Sequence, residues 1–387
     1  MAQADSASVN DRGVVGSVPA AVTGHVHLDS LTEPITLVDL QIALSATKKN
    51  KSPGTDGIPY EFYVQFWDAV GPHFLAMVNH VLSTNQLLPS QGSAAIRLLP
   101  KVPHPKKMTD YRPISLLNTD YKVIASALAH RLRRTLPLVL GNHQKGGVPG
   151  RYIHDSLALF RDVIDHAGRK TNRGDTKLVD AAIIAYDLEK AYDLVNRDVL
   201  WGIMAAMGYP IQFVDWLKTL YSITQLCPLN GSAIVGTIDD AQSVRQGCPL
   251  SIHLFAIYVE PLLMRLSRSI VGFDLLGEQV KVRAFVDDLT VFVSSRADIL
   301  RACGIIEEFC AWTNARINKA KTKLLGLGNW AIENDNPPKS GQCHSPIAQL
   351  TRATSSQQGI DGSSPARDFL NPRKRKRGSE KNPWPVE

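Results

Sequence analysis

Asp287 and Asp288 interrupt an otherwise apolar, β-branched and aromatic run, Arg283-Ala284-Phe285-Val286-Asp287-Asp288-Leu289-Thr290-Val291-Phe292-Val293. Charge without a partner is costly to bury, so the pair calls for a cation or for solvent. The flanks read as two strands and the acidic pair as the tight turn joining them. Such a hairpin could hold metal ions against a phosphate. It also suits an ordinary polar turn, where Asp is favoured. A second acid, Asp187, closes the apolar run Val179 to Tyr186, one hundred residues before Asp287. A buried strand ending there would project its carboxylate from the edge of a sheet, and only tertiary structure could join the two sites. Three facing carboxylates repel and raise each other's pKa unless divalent cations sit between them. Oxygen ligands on a hard cation point to Mg²⁺, with Mn²⁺ as a substitute. Two such ions about 3.5–4 Å apart are the arrangement for in-line nucleotidyl transfer. Glu189 and Asp193 are alternative ligands, ranked lower because the charge-rich turn after Asp187 reads as partly solvated.

Between the two acidic sites lies Ser243-Val244-Arg245-Gln246-Gly247-Cys248-Pro249-Leu250-Ser251. A Gly-containing loop entering a helix permits close backbone approach, and Arg245 and Gln246 offer hydrogen bonds to a base or phosphate. A plain helix-entry loop has the same spacing.

The elements that must position these residues can be read coarsely. Helices are predicted over Pro34 to Thr47, Tyr60 to Leu87, Asn118 to Leu138, Asp198 to Ser222, Ser251 to Ile270 and Ala297 to Asn314. Strands are predicted at Ala95 to Leu99 and Val179 to Tyr186. In the third helix Ile124, Leu128, Leu132 and Leu136 line one face. Its basic fringe of Lys122, His130, Arg131, Arg133 and Arg134 suits a solvated face as well as nucleic acid. Residues 1 to 31 and 329 to 387 are small and polar without a period, and read as a disordered leader and tail. The tail carries Arg373, Lys374, Arg375, Lys376 and Arg377, which suits nuclear import or a nucleic-acid patch.

The 387 residues are enough for two or three packed units, and the net charge of +7 suits a polyanionic partner. Cys227, Cys248, Cys303, Cys310 and Cys343 form no paired-ligand motif, which argues against zinc and against a disulfide framework. Cys303 and Cys310 fall on a core stripe with Ile299 and Ile306. No run is long enough for a membrane span and no secretory pattern opens the chain, so it reads as intracellular and soluble.

Several blocks occur together in order: Lys51 to Gly57, Leu99-Pro100-Lys101, Asp110 to Asn118, Gln144 to Asp155, and Arg316-Ile317-Asn318-Lys319-Ala320-Lys321-Thr322. With the acidic sites and the Gly247 loop, they resemble the reverse transcriptase domain of non-long-terminal-repeat (LINE-type) retrotransposons, from about Lys51 to about Leu325. The resemblance implies an α/β (α+β) right-hand polymerase, with fingers over 32–175 and a palm over 176–328 built on a small antiparallel sheet backed by helices. It implies an RNA template, a DNA primer and dNTPs as partners; protein partners are not indicated.

By resemblance, Asp187, Asp287 and Asp288 are catalytic metal ligands, joined by the Leu188 carbonyl. Tyr192 falls on the aromatic that screens the sugar 2′ position. Arg245, Gln246 and Gly247 fall on the nucleotide loop, Lys101 and Arg112 on triphosphate contacts, and Lys321 on a proton donor to pyrophosphate. Three positions depart from the usual pattern: Gly147 replaces an aromatic, Ser243 a Gly, and Ile252 a Pro. By the same resemblance an N-terminal endonuclease is not expected in this sequence, and primer-grip and thumb regions are not recognisable after Gly328. The alternative expectation is a weak or inactive remnant that binds RNA or an RNA–DNA hybrid.

Overall fold

The computed structural model describes residues 28–330, apart from 48, 173–180, 223–224, 231–232, 240–241 and 328–329. Most of the expected leader, nearly all of the tail and the basic run Arg373 to Arg377 lie outside the described residues. At the leader's end, Leu28–Thr32 forms a 3₁₀ turn with Leu28 and Leu31 buried. It was expected to be unstructured; two leucines three apart give it an apolar anchor.

The first helices are α1 (Leu37–Ser45), α2 (Tyr60–Gln65) and α3 (Trp67–Thr84). Thr36 and Asp39 close a capping box at the start of α1. The single helix expected over Tyr60 to Leu87 is broken at Phe66, which leaves helical dihedrals. Tyr63 and Trp67, on either side of the break, both pack their rings on Phe74. Strands β1 (Ser93–Pro100) and β2 (Tyr111–Leu117) form an antiparallel pair, with Ile96 opposite Ser115 and Leu99 opposite Arg112. Then come α4 (Thr119–Val139) and α5 (Ile153–Asn172).

The predicted α4 stripe holds: Ile124, Leu128, Leu132 and Leu136 are fully buried. Arg131 does not belong to the basic fringe. It is buried, pairs with Asp39 at 2.8 Å, and donates to the Leu31, Glu33 and Pro34 carbonyls. It braces α1 and the 3₁₀ turn on α4, through a pair whose Asp39 end is partly open to solvent. His130, Arg133 and Arg134 remain exposed.

Strand β3 (Ala181–Asp187) is followed by α6 (Arg197–Ala206) and α7 (Ile211–Leu220). These were expected as one helix. Gly208, at φ 82°, ends the first and Pro210 caps the second, punctuation that was present in the sequence. Short strands β4 (Gln225–Asn230), β5 (Ala233–Ile234) and β6 (Ile238–Asp239) join β1 and β2 in a five-stranded sheet, with β4 parallel to β1. Helix α8 (Ser251–Ser269) leads to the hairpin β7 (Phe273–Leu275) and β8 (Glu278–Val280). Strands β9 (Val282–Phe285) and β10 (Asp288–Val293), helix α9 (Arg296–Thr313) and β11 (Lys323–Leu327) follow.

A four-stranded antiparallel sheet has the order β11-β3-β10-β9. Alternation divides its side chains between two cores. Ile184, Tyr186, Leu289, Val291 and Val293 join α8 and α9 in the main core. Ile183 and Phe292 face the other way, onto Val163 and Ala167 of α5. Cys303 is buried and Cys310 partly so, as the stripe predicts. No helix among the described residues is long and apolar enough to cross a membrane.

Candidate active site

Asp288 is the register partner of Asp187 across β10 and β3. Directly opposed residues project to the same face, so both carboxylates leave the sheet together. Ile183 and Phe292 lie further down that face, beneath α5. The helix covers one end of the face and leaves the acids at the other.

The hairpin expected around the acids is present, with its turn shifted by one residue. Phe285 pairs with Asp288, which leaves Val286 and Asp287 as the two turn residues and makes Asp288 the first residue of β10. Only Val286 of the two has positive φ, at 60°, as in a type II′ turn. This turn suits the strand twist, but glycine is its usual first residue.

Asp288 titrates above the ordinary carboxylate range, first through partial burial and then through the charges of Asp287 and Asp187. Lys321 Nζ stands 3.8 Å from Asp187 Oδ2 and is largely exposed. Antiparallel pairing carries β3 onward against the Arg316–Asn318 segment: Asn318 N donates to Asp187 O and Glu189 N to Arg316 O. Leu188 is buried at that junction.

Tyr192 is half-buried, with its ring stacked on Phe255 at 5.1 Å. Burial, then the nearby charge of Asp287, pushes its hydroxyl up to about 12. Gln246 Nε2 donates to Asp193 Oδ1 at 3.0 Å, so Asp193 serves the loop. The Gln246 carbonyl accepts from Ser115 N on β2. Gly247 has φ 112°, and a Cβ there would lie 2.7 Å from Ser115 O. The loop thus links β2 to the turn that follows β3, through a contact at Gly247 that excludes a side chain. Ser243 has φ 90°, the region that favours the Gly usual at this position.

Three other predicted residues lie on the Gly247 loop and on the β1–β2 hairpin. Arg245 is buried, its guanidinium 5.3 Å from the ring centres of both Tyr121 and Tyr221. This cation–π sandwich holds the loop from inside, where the sequence reading had placed the side chain at a nucleotide. Lys101 and Arg112 are exposed on the β1–β2 hairpin. Arg112 is three residues along β2 from Ser115, about 10 Å at strand rise. Two departures from the usual motifs touch each other: a Cβ on Gly147 would lie 3.0 Å from Ile252 Cγ1.

Among the described residues no three His, Cys, Asp or Glu side chains stand as a ready-made metal cage. The donor set nevertheless fits a hard divalent cation: two opposed carboxylates, a third adjoining in the turn, and charges that already oppose one another at Asp288. A further residue reaches this turn from the side. The Gln144 side chain hydrogen-bonds the Val286 backbone. In the sequence it stands within the Gln144 to Asp155 block, where its signal is an uncharged amide two residues before a glycine.

Comparison with known proteins identifies the family. Residues 104–348 match the family described as "Reverse transcriptase (RNA-dependent DNA polymerase)". The chain is 34% identical over 307 residues to the "Transposon TX1 uncharacterized 149 kDa protein" of Xenopus laevis, covering 79% of this chain and 23% of that one. It is 25% identical over 315 residues to the "Retrovirus-related Pol polyprotein from type-2 retrotransposable element R2DM" of Drosophila melanogaster, covering 80% and 28%. A type-1 R2 polyprotein of Nasonia vitripennis is 23% identical over 265 residues, covering 67% and 24%. The chain therefore spans about a quarter of the length of these relatives.

Proposed function

Because the chain belongs to the reverse transcriptase family, in its non-LTR retrotransposon branch, we propose that it copies an RNA template into DNA by adding dNTPs to a primer 3′-hydroxyl. In this reading the four-stranded sheet is the palm and the β1–β2 pair lies in the fingers, extended by β4, β5 and β6 from the stretch expected as palm. The observation that carries it is the opposition of Asp187 and Asp288, with Asp287 in the adjoining turn.

Asp187, Asp287 and Asp288 would hold Mg²⁺, or Mn²⁺ in its place. Bound there, two ions would activate the primer oxygen and neutralise the triphosphate and the leaving pyrophosphate. The 3′-oxygen forms the new bond to the α-phosphorus as the bond to the pyrophosphate oxygen breaks. Lys321, 3.8 Å from Asp187, would give the pyrophosphate a proton. Tyr192, braced on Phe255, would occupy the space that a ribose 2′-hydroxyl needs. Gln246 and Gly247 would shape the loop beside the nucleotide, with the Gln246 side chain steadied by Asp193 and its carbonyl by Ser115 N. Lys101 and Arg112 are cations on the fingers hairpin, suited to a triphosphate. The Arg245 contribution is to stabilise the loop.

The test is primer extension on an RNA template with dNTPs and Mg²⁺, comparing the chain with its Asp287→Asn variant. Extension by the unaltered chain alone supports the reading. Equal extension by both overturns the role of Asp287, and none by either overturns the polymerase reading in favour of nucleic-acid binding without polymerisation.

A further inference from the structure

The turn that carries Asp287 is unfavourable for its own residues. Val286 sits at φ 60°, where a β-branched side chain meets its backbone. Glycine would adopt this conformation freely, so the turn needs an external restraint.

The restraint comes from the loop after α4. Gln144 is completely buried. Its Oε1 accepts from Val286 N at 2.9 Å and from Gly146 N at 3.0 Å, and its Nε2 donates to Val286 O at 3.4 Å. One side-chain amide therefore engages both backbone polar groups of the strained residue. The loop itself lies beside β9 as a short parallel partner. Ala284 N donates to His143 O and Lys145 N to Ala284 O, each at 2.8 Å. Gly146 permits this closeness, since a Cβ there would lie 2.5 Å from Val286 N and Cγ2. Arg151 anchors the loop from behind, donating to the carbonyls of Leu140, Gly141 and Gln144.

We propose that Gln144 is a positioning residue for the catalytic carboxylates. Its amide clamps Val286 in the type II′ turn and so sets where Asp287 and Asp288 stand relative to Asp187. This deepens the polymerase reading and rests on it. A residue serving only to fill the core would need the shape of Gln144 and neither of its bonds to Val286.

The test uses Gln144→Met, which keeps the volume and removes the clamp, Val286→Gly, which removes the strain, and the double variant. In primer extension, Gln144→Met should lower kcat about tenfold, the worth of one disfavoured φ, with KM for dNTP changed less than about twofold. Adding Val286→Gly should recover most of that loss. Loss that Val286→Gly does not recover, or that falls equally on KM, overturns the proposal. Thermal unfolding of the four proteins supplies a readout independent of activity. The double variant should be less destabilised than the sum of the singles, and additivity overturns the clamp. If the unaltered chain extends no primer, the polymerase reading fails, while the unfolding cycle still decides whether Gln144 holds Val286.

Discussion

Asp187 and Asp288 face each other across two antiparallel strands, one hundred and one positions apart in the chain and level in the sheet. Their charges oppose, with Asp287 adding a third. This arrangement is unfavourable without a cation and useful with one, which gives the first prediction. In metal-free buffer Asp288→Asn should raise the unfolding midpoint by about 1–2 °C, a small effect because these groups are partly solvated. Millimolar Mn²⁺ should raise the midpoint of the unaltered chain and not that of Asp187→Asn. Equal response of both proteins to Mn²⁺ would place the ion elsewhere. Primer extension by Asp187→Asn should fall at least about a hundredfold.

Tyr192 is fixed by its stack on Phe255, next to Asp287. Tyr192→Val should let ribonucleotides compete with deoxynucleotides, improving rNTP use relative to dNTP use about tenfold or more, within the range a single steric contact supplies. The check is the ratio of kcat/KM for the two sugars. An unchanged ratio would remove Tyr192 from sugar selection.

Gly247 and Gly208 both have positive φ, but only Gly247 has a backbone atom against its missing side chain. Gly208→Ala should cost only the strain, about 1 kcal/mol. Gly247→Ala should cost more, about 2–3 kcal/mol, because it also forces the loop away from Ser115. Paired denaturant titrations measure the difference, and equal losses would contradict a close loop-to-strand contact.

Glu260 is buried in α8, with Gly141 N donating to its Oε1, and burial lifts it to about 8. The folded chain therefore keeps a proton that the unfolded chain releases near 4.5. Its contribution is complete below about 4.5 and is lost as the pH rises through about 8. Glu260→Gln should gain on the unaltered chain between pH 5 and pH 8, seen as a narrowing or reversal of the gap in unfolding midpoint. His143 and His253, both depressed to about 4 by burial, act oppositely below pH 6.5. The difference between variant and unaltered chain isolates Glu260. A gap that stays constant with pH would mean the carboxyl is ionised throughout.

What was legible in the chain follows from local physics. Apolar spacing marked α4, and the buried stripe of Ile124, Leu128, Leu132 and Leu136 was readable because one helical turn repeats within four residues. The acids were readable because charge in an apolar run demands a reason. Gly208 and Pro210 also mark a helix end by local signal alone, dividing α6 from α7.

By itself the sequence determined which residues could do chemistry and where most of the longer periodic helices would lie, since both depend on near neighbours, but it left α5 and most of the short strands unread. Only the tertiary structure decided how they meet. Arg131 and Arg245 looked like surface cations until distant partners, Asp39 for one and Tyr121 and Tyr221 for the other, drew them inside. Gln144 had no visible task until β9 brought Val286 to it across 142 positions. The level of Asp288 against Asp187 was likewise undecided, because a slip of one residue turns every side chain to the opposite face, and only packing on both faces selects the register.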